Sequence, residues 1–179
     1  TLGNTELKVS QDVMQKLPFV LRENKYQVKV VCTDDQILDI KSQEDDSRFY
    51  GVAIDLGTTT VVCKLIELNS GEIVAVNSQV NAQRSRGEDV VARITYSMNE
   101  PNGLENLHST IIEQINKQIG ELSEKAKISP SQIYRVFIAG NTVMQHIFWG
   151  ISPKYLAEIP FVPVFRSLQT RKAGEVGLN

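Results

Sequence analysis

The sequence predicts an α/β fold for most of the chain, preceded by a small α+β segment. Three consecutive apolar runs rich in β-branched residues occupy residues 49–80, which is typical of adjacent strands. Apolar residues at helical spacing follow, then one more short apolar run and a final helical pattern. The order from residue 49 onward is therefore β-β-β-α-α-β-α. With 179 residues, of which 41% are hydrophobic, the chain can bury a substantial core.

The three strands are predicted at residues 49–56, 60–68 and 72–80. The sequence Asn-Ser-Gly between the second and third predicts a hairpin turn, with Gly71 at a position that requires positive φ.

The helices are predicted from apolar residues that recur every three or four positions. Residues 87–98 form one such pattern, and Leu104 to Leu122 form a longer one. Residues 132–140 predict a short buried strand that ends at Gly140. The last helix follows it, with Asn141 or Thr142 as its cap.

The first 48 residues read as a separate segment. Residues 10–23 predict a helix that Ser10 caps and Pro18 kinks or interrupts. Residues 26–42 alternate with period two around a polar turn and predict a hairpin. The acidic stretch at residues 42–48 is typical of a linker. We therefore place a domain boundary between residues 48 and 49.

Composition excludes several classes of function. The net charge of −2 and the pI near 5.7 give no reason to expect nucleic acid or an anionic membrane as a partner. No apolar run approaches the roughly 20 residues of a membrane-spanning helix. Cys32 and Cys63 stand alone within strand-like runs, which predicts buried, reduced thiols, no metal–thiolate site and a cytoplasmic location. Because the chain starts at Thr1, we expect the native N-terminus to lie outside it.

The sequence Asp-Leu-Gly-Thr-Thr-Thr at residues 55–60 separates the first two strands. Gly57 allows positive φ and close approach of a ligand to the backbone. Successive amides and the hydroxyls of Thr58, Thr59 and Thr60 can bind an anion. Asp55 offers a hard oxygen to Mg²⁺, directly or through water. The alternative is an ordinary hairpin turn whose threonines reflect strand propensity alone.

This turn resembles the first phosphate motif of the actin, sugar-kinase and heat-shock chaperone ATPase superfamily. The resemblance implies a ribonuclease-H-like mixed sheet in which three antiparallel strands are joined by a parallel fourth, with flanking helices. It also implies that Gly57 and the three threonines bind the β and γ phosphates of ATP. Asp55 then holds Mg²⁺ through water and is the residue implied in catalysis.

A narrower resemblance rests on Asn-Ala-Gln…Gly-Glu-Asp-Val-Val-Ala-Arg-Ile at residues 81–94 and Gly-Asn-Thr-Val-Met-Gln-His at residues 140–146. Both are similar to segments in reductive activators of corrinoid proteins, which commonly have Pro where this chain has Ala82. The resemblance implies that residues 49–179 are the N-terminal half of an incomplete actin-like ATPase domain. Residues 1–48 are then the tail of a middle or linker domain.

Such activators use ATP and one electron from a [2Fe–2S] cluster to return a Co(II) corrinoid protein to Co(I). The resemblance implies ATP and Mg²⁺ as cofactors, and a cluster in a ferredoxin-like domain outside this chain, with none inside it. The implied partners are a corrinoid protein and that ferredoxin-like domain; homodimer formation stays open. We expect this chain alone to be inactive, because the other phosphate loop and the adenosine pocket belong to the second half. The alternatives are a sugar or carboxylate kinase of the same superfamily and a nucleotide-gated interaction module.

Other residues permit two interpretations. Gly140 and Asn141 contact the phosphates in one, and Asn141 only caps a helix in the other. His108 and His146 lack partners at metal-ligand spacing, which favours structural roles. The i, i+4 spacing of Asp89 and Arg93 predicts an ion pair on a helix surface.

Overall fold

The computed structural model of the chain describes residues 7–33 and 35–179. The chain forms two compact units, which divide between Ser47 and Arg48. Within the described residues, no helix combines the length and the apolar character needed to cross a membrane.

The described residues of the first unit form β1 (Lys8–Val9), α1 (Gln11–Glu23), β2 (Val28–Cys32) and β3 (Gln36–Ser42). These three strands make one sheet in the order β1-β3-β2. β1 is parallel to β3 and was not predicted, whereas β2 and β3 form the expected antiparallel pair. The Ser10 hydroxyl accepts a hydrogen bond from the Val13 amide at 3.3 Å and caps α1. The expected interruption at Pro18 is wrong, since α1 continues through it.

The second unit contains a four-stranded mixed sheet and three helices. Its strands are β4 (Tyr50–Leu56), β5 (Thr60–Glu67), β6 (Ile73–Val80) and β7 (Ile133–Gly140). Its helices are α2 (Val90–Asn99), α3 (Gly103–Ala126) and α4 (Thr142–Phe148). Short 3₁₀ turns occupy Ala82–Arg86, Pro130–Gln132, Lys154–Leu156 and Ala173–Val176.

The strand order β6-β5-β4-β7 confirms the mixed sheet that the resemblance implied. β4, β5 and β6 are antiparallel neighbours, and β7 joins β4 in parallel. Gly71 has φ +74°, as the hairpin between β5 and β6 requires. Because β4 is a central strand, the turn that follows it starts from a firmly held backbone.

The core of this unit lies between the sheet and α3. Val52, Ile54 and Leu56 of β4 are at most 2% exposed and pack in one cluster with α3 residues such as Ile115. Complete burial of one such side chain stabilises the fold by about 1.5–3 kcal/mol. Since side chains alternate along a strand, Asp55 lies on the opposite face of the sheet, where it is exposed.

The two cysteines occupy different environments. Cys63 is buried in the core of the second unit, and this burial raises the pKa of its thiol to about 12. Cys32 is exposed, so the expectation that both thiols are buried is wrong for this residue. Both are free thiols, as the sequence predicted.

Candidate nucleotide-binding site

Residues 57–59, here called the Gly57 turn, connect β4 to β5 at the end of the two central strands. A Cβ placed on Gly57 would lie 2.5 Å from the Thr60 carbonyl oxygen, which is closer than real Cβ contacts come. Glycine is therefore required because the backbone folds tightly on itself. Gly57 allows positive φ but does not adopt it, since only Gly71, Gly150 and Gly177 among the described glycines have it.

The three carbonyl groups of the Gly57 turn are held by one pair of residues. The Asn81 side-chain amide donates to the Gly57 carbonyl at 2.9 Å, and the Asn81 backbone amide donates to the Thr59 carbonyl at 2.8 Å. The Arg93 guanidinium donates from Nη2 to the Thr58 carbonyl at 2.6 Å. All three oxygens thus face the interior of the unit.

The directions of the turn's carbonyl groups also determine where its N–H groups point. In a trans peptide the C=O of one residue and the N–H of the next point in opposite directions. Since Gly57 and Thr58 direct their carbonyls toward Asn81 and Arg93, the amides of Thr58 and Thr59 point away from those residues. Neither amide donates to an acceptor within the described part of the chain. Two free donors on one side of a half-exposed turn can hold an anion.

A buried polar cluster supports the turn from behind. Asn81, Gln83 and Arg93 are each 0% exposed. The Gln83 backbone amide donates to Asn81 Oδ1 at 2.9 Å, and Arg93 Nη1 donates to Gln83 Oε1 at 3.3 Å. Gln83 Nε2 in turn donates to the Leu107 carbonyl at 2.8 Å.

This cluster was not predicted as part of the site, and the surface ion pair expected between Asp89 and Arg93 is wrong. The Asp89 carboxylate instead caps α2 by accepting from the Ala92 amide at 2.7 Å. A signal was nevertheless present in the sequence. Arg93 lies three residues after Val90 and beside Ile94, on the apolar stripe of the same helix.

Asp55 is exposed, and its carboxylate forms no hydrogen bond or ion pair with the described residues. It precedes the Gly57 turn by two residues and is paired with Val62 of β5 and Ala139 of β7. No group of three His, Cys, Asp or Glu side chains suited to a metal exists in the described ranges. One carboxylate next to an anion site fits Mg²⁺, which keeps several waters and takes phosphate oxygens as its other ligands.

The other predicted residues lie around the same turn. Gly140 pairs with Leu56 across the parallel strands, and a Cβ there would lie 2.8 Å from the Leu56 carbonyl oxygen. Asn141 caps α4 by accepting from the Met144 amide at 2.9 Å, and its Nδ2 donates to Thr58 Oγ1 at 3.0 Å. Capping and contact with the turn therefore occur together.

The two remaining threonines differ in position. Thr59 is exposed at the tip of the Gly57 turn, whereas Thr60 begins β5 opposite Val80. The structure thus brings the residues predicted on the turn and after β7 together at one end of β4.

The histidines have the structural roles that the sequence favoured. A carbonyl can only accept, so His146 Nδ1 donates to the Thr142 carbonyl at 2.7 Å, and Nε2 accepts from the Val164 amide at 3.1 Å. His108 Nδ1 lies 3.3 Å from the Ile147 carbonyl oxygen.

Comparison with known proteins defines the class to which this fold and turn belong. A solved structure described as a reductive activator for corrinoid, iron-sulfur protein superposes with a TM-score of 0.90 over 98% of this chain, at 33% identity. A corrinoid activation enzyme from Eubacterium limosum, RamQ, is 34% identical over 141 residues, which is 78% of this chain. The predicted resemblance to reductive activators of corrinoid proteins is confirmed.

Residues 50–179 match the family described as the RACo middle region, and the chain belongs to this family. The matched segment begins at the first residue of β4. The chain spans 24% of the length of RamQ and 29% of the solved activator.

Proposed function

We propose that this chain is part of an ATP-dependent reductive activator that returns a Co(II) corrinoid protein to Co(I). The support comes from the two named relatives, together with the geometry of the Gly57 turn. The observation that carries the proposal is the inward orientation of the turn's carbonyls. Among the described residues, it leaves the Thr58 and Thr59 amides without an acceptor, near an Asp55 carboxylate that has no partner there either. An anion site next to a hard oxygen ligand suits a nucleotide phosphate with its cation.

In this proposal residues 49–179 are the N-terminal half of an actin-like ATPase domain, and residues 1–48 are the tail of a middle or linker domain. The Gly57 turn and Thr60 bind the β and γ phosphates of ATP. Asn141 orients Thr58, and Gly140 allows β7 to approach the end of β4. Asp55 would hold Mg²⁺ through water, and the ion would neutralise phosphate charge as hydrolysis proceeds. Water is the phosphoryl acceptor, so catalysis depends on positioning and electrostatics.

The reaction needs an energy source because reduction of Co(II) to Co(I) is unfavourable. One electron passes to the cobalt from a [2Fe–2S] ferredoxin-like domain outside this chain, and each ~60 mV of adverse potential costs about 1.4 kcal/mol. ATP can supply this energy only if its binding and hydrolysis change how tightly the activator holds the corrinoid protein in its two redox states. We propose the cytoplasm as the location, where the free thiols Cys32 and Cys63 would stay reduced.

Asp55→Asn in the full-length activator tests the proposal. The substitution keeps the shape of the side chain but removes the charge that would attract Mg²⁺. We expect the rate of ATP-dependent Co(I) formation to fall by at least about 100-fold, because a charge interaction used in catalysis is lost. The rate is measured from the absorption spectrum of Co(I). The iron–sulfur spectrum should not change.

Asp46→Asn is the matched control, because the Asp46 side chain is 97% exposed and lies in the first unit. It should retain wild-type activation. Wild-type rates in Asp55→Asn would remove Asp55 from the mechanism. ATP consumption that depends on an added sugar or carboxylate, with no effect on cobalt, would identify a small-molecule kinase instead.

A further inference from the structure

Arg93 is a buried cation that forms no ion pair with a carboxylate among the described residues. Its side chain is 0% exposed, and its four hydrogen-bond acceptors are the Thr58 and Gly87 carbonyls, Gln83 Oε1 and Met144 Sδ. Burial lowers the pKa of the guanidinium, and the charge of Asp89 acts in the opposite direction. An unpaired buried charge is costly to a fold, so neutral dipoles must compensate it here.

The surroundings are shaped to admit this side chain. Nε donates to the Gly87 carbonyl at 3.0 Å, and a Cβ on Gly87 would lie 2.9 Å from Arg93 Cγ. Nη1 lies 3.0 Å from Met144 Sδ, on the helix that follows β7. Contacts from the 3₁₀ turn, from Gly87 after it and from α4 therefore fix the guanidinium in one position behind the Gly57 turn.

The contact with Thr58 connects this charge to the candidate site. A cation that donates to the Thr58 carbonyl polarises the Thr58–Thr59 peptide and makes the Thr59 amide a stronger donor. An anion bound to that amide would lie about 8 Å from the guanidinium, across the 2.6 Å bond to the Thr58 carbonyl, the peptide group and a second hydrogen bond. The Asp89 carboxylate acts against the charge of Arg93 but forms no ion pair with it. At an effective dielectric constant near 20, a unit charge at this distance changes the affinity for an anion by about 30-fold.

We propose that Arg93 is the positioning residue that gives the Gly57 turn its preference for a polyphosphate. It holds the Thr58 carbonyl inward, so that the following amide faces the ligand, and it supplies the positive charge behind that amide. This inference rests on the proposed nucleotide site. It differs from a purely structural role because substitution of Arg93 should then reduce the binding affinity more for a ligand with more phosphates.

The test compares Arg93→Met and Arg93→Lys in the full-length protein by calorimetric titration with Mg·ATP and with AMP, alongside thermal unfolding without ligand. Arg86→Met is the matched control, since Arg86 donates to Thr110 Oγ1, whereas the carbonyls of the turn accept from Asn81 and Arg93. We expect Arg93→Met to weaken ATP binding by about 30-fold and AMP binding by less than about threefold. Arg93→Lys keeps the charge but loses the forked geometry, so it should fall between wild type and Arg93→Met.

Each result decides a different point. If the wild-type protein binds no ATP, the proposed function fails and not only this inference. If the wild type binds ATP and both Arg93 variants bind it as tightly as the wild type does, Arg93 does not position the turn. Equal losses for ATP and AMP would indicate a structural role and overturn the inference. Should Arg93→Met not fold, the ATP-to-AMP ratio of Arg93→Lys decides, and failure of that variant to fold would also make Arg93 a structural residue.

Discussion

Gly57→Ala is the substitution to which the candidate site should be most sensitive. The added Cβ would lie 2.5 Å from the Thr60 carbonyl oxygen, whereas tolerable contacts begin at 3.0–3.4 Å. The obstructing atom belongs to the backbone, so no side-chain rotation relieves the contact. The turn must therefore open by about 0.5–0.9 Å.

Such a movement is large compared with the tolerance of a hydrogen bond. A donor displaced by this amount from an ordinary distance of about 2.9 Å passes the upper limit of about 3.2 Å. Hydrogen bonds to charged groups contribute about 1.5–3 kcal/mol each. Loss of the Thr58 and Thr59 amides as donors to a phosphate should therefore raise the Kd for Mg·ATP by about 100-fold or more.

The assay is calorimetric titration of the full-length protein with Mg·ATP, together with thermal unfolding in the absence of ligand. Gly71→Ala is the control, because Gly71 has φ +74° and no neighbour within 4 Å of its added Cβ. It should reduce the free energy of unfolding by about 1 kcal/mol through backbone strain and leave ATP affinity unchanged. ATP affinity within about threefold of wild type in Gly57→Ala would refute the reasoning that the turn needs its tight backbone.

Two further outcomes concern other parts of the fold. Hydrogen bonds from Ser70 and Asn69 to the Glu67 carboxylate hold its pKa below the usual value. These bonds therefore stabilise the fold fully when the pH is above the ordinary pKa of the carboxyl group. Their contribution is lost as the pH falls through the lower pKa of the folded state. The free energy of unfolding should therefore be higher for the wild type than for Glu67→Gln at neutral pH, and this difference should disappear at low pH. A difference that stays constant with pH would contradict this. Because burial raises the pKa of Cys63 to about 12, only Cys32 should react with a thiol reagent at pH 8 in the native chain, and Cys32→Ser should abolish the reaction. Rapid labelling of Cys63 would show that this part of the core opens.

The sheet and its turns could be predicted because their causes are local. Apolar runs rich in β-branched residues define β4, β5 and β6, and Gly71 marks the hairpin between two of them. The pairing of β7 beside β4 came from the resemblance, since no local pattern states which strands become neighbours.

The support of the site could not be predicted because its causes are distant in the chain. Arg93 reaches the Thr58 carbonyl across 35 residues and Met144 across 51. Helical spacing alone assigned Arg93 to a surface pair with Asp89, since opposite charges four residues apart usually meet in solvent. The helical pattern places Arg93 on the apolar stripe of α2, but it does not state that this face packs beneath the Gly57 turn. The interruption expected at Pro18 did not occur, because α1 continues through this residue although proline removes a helical hydrogen bond.

The orientation of the Asn141 amide determines the chemical character of the Thr58 hydroxyl. The Met144 N–H can only donate, so the amide oxygen of Asn141 must face it, and the NH₂ group must face Thr58. One lone pair on Thr58 Oγ1 is thereby occupied, and its single hydrogen is directed elsewhere. The Thr58 hydroxyl thus keeps its hydrogen for an oxygen acceptor other than Asn141, and its second lone pair remains able to accept.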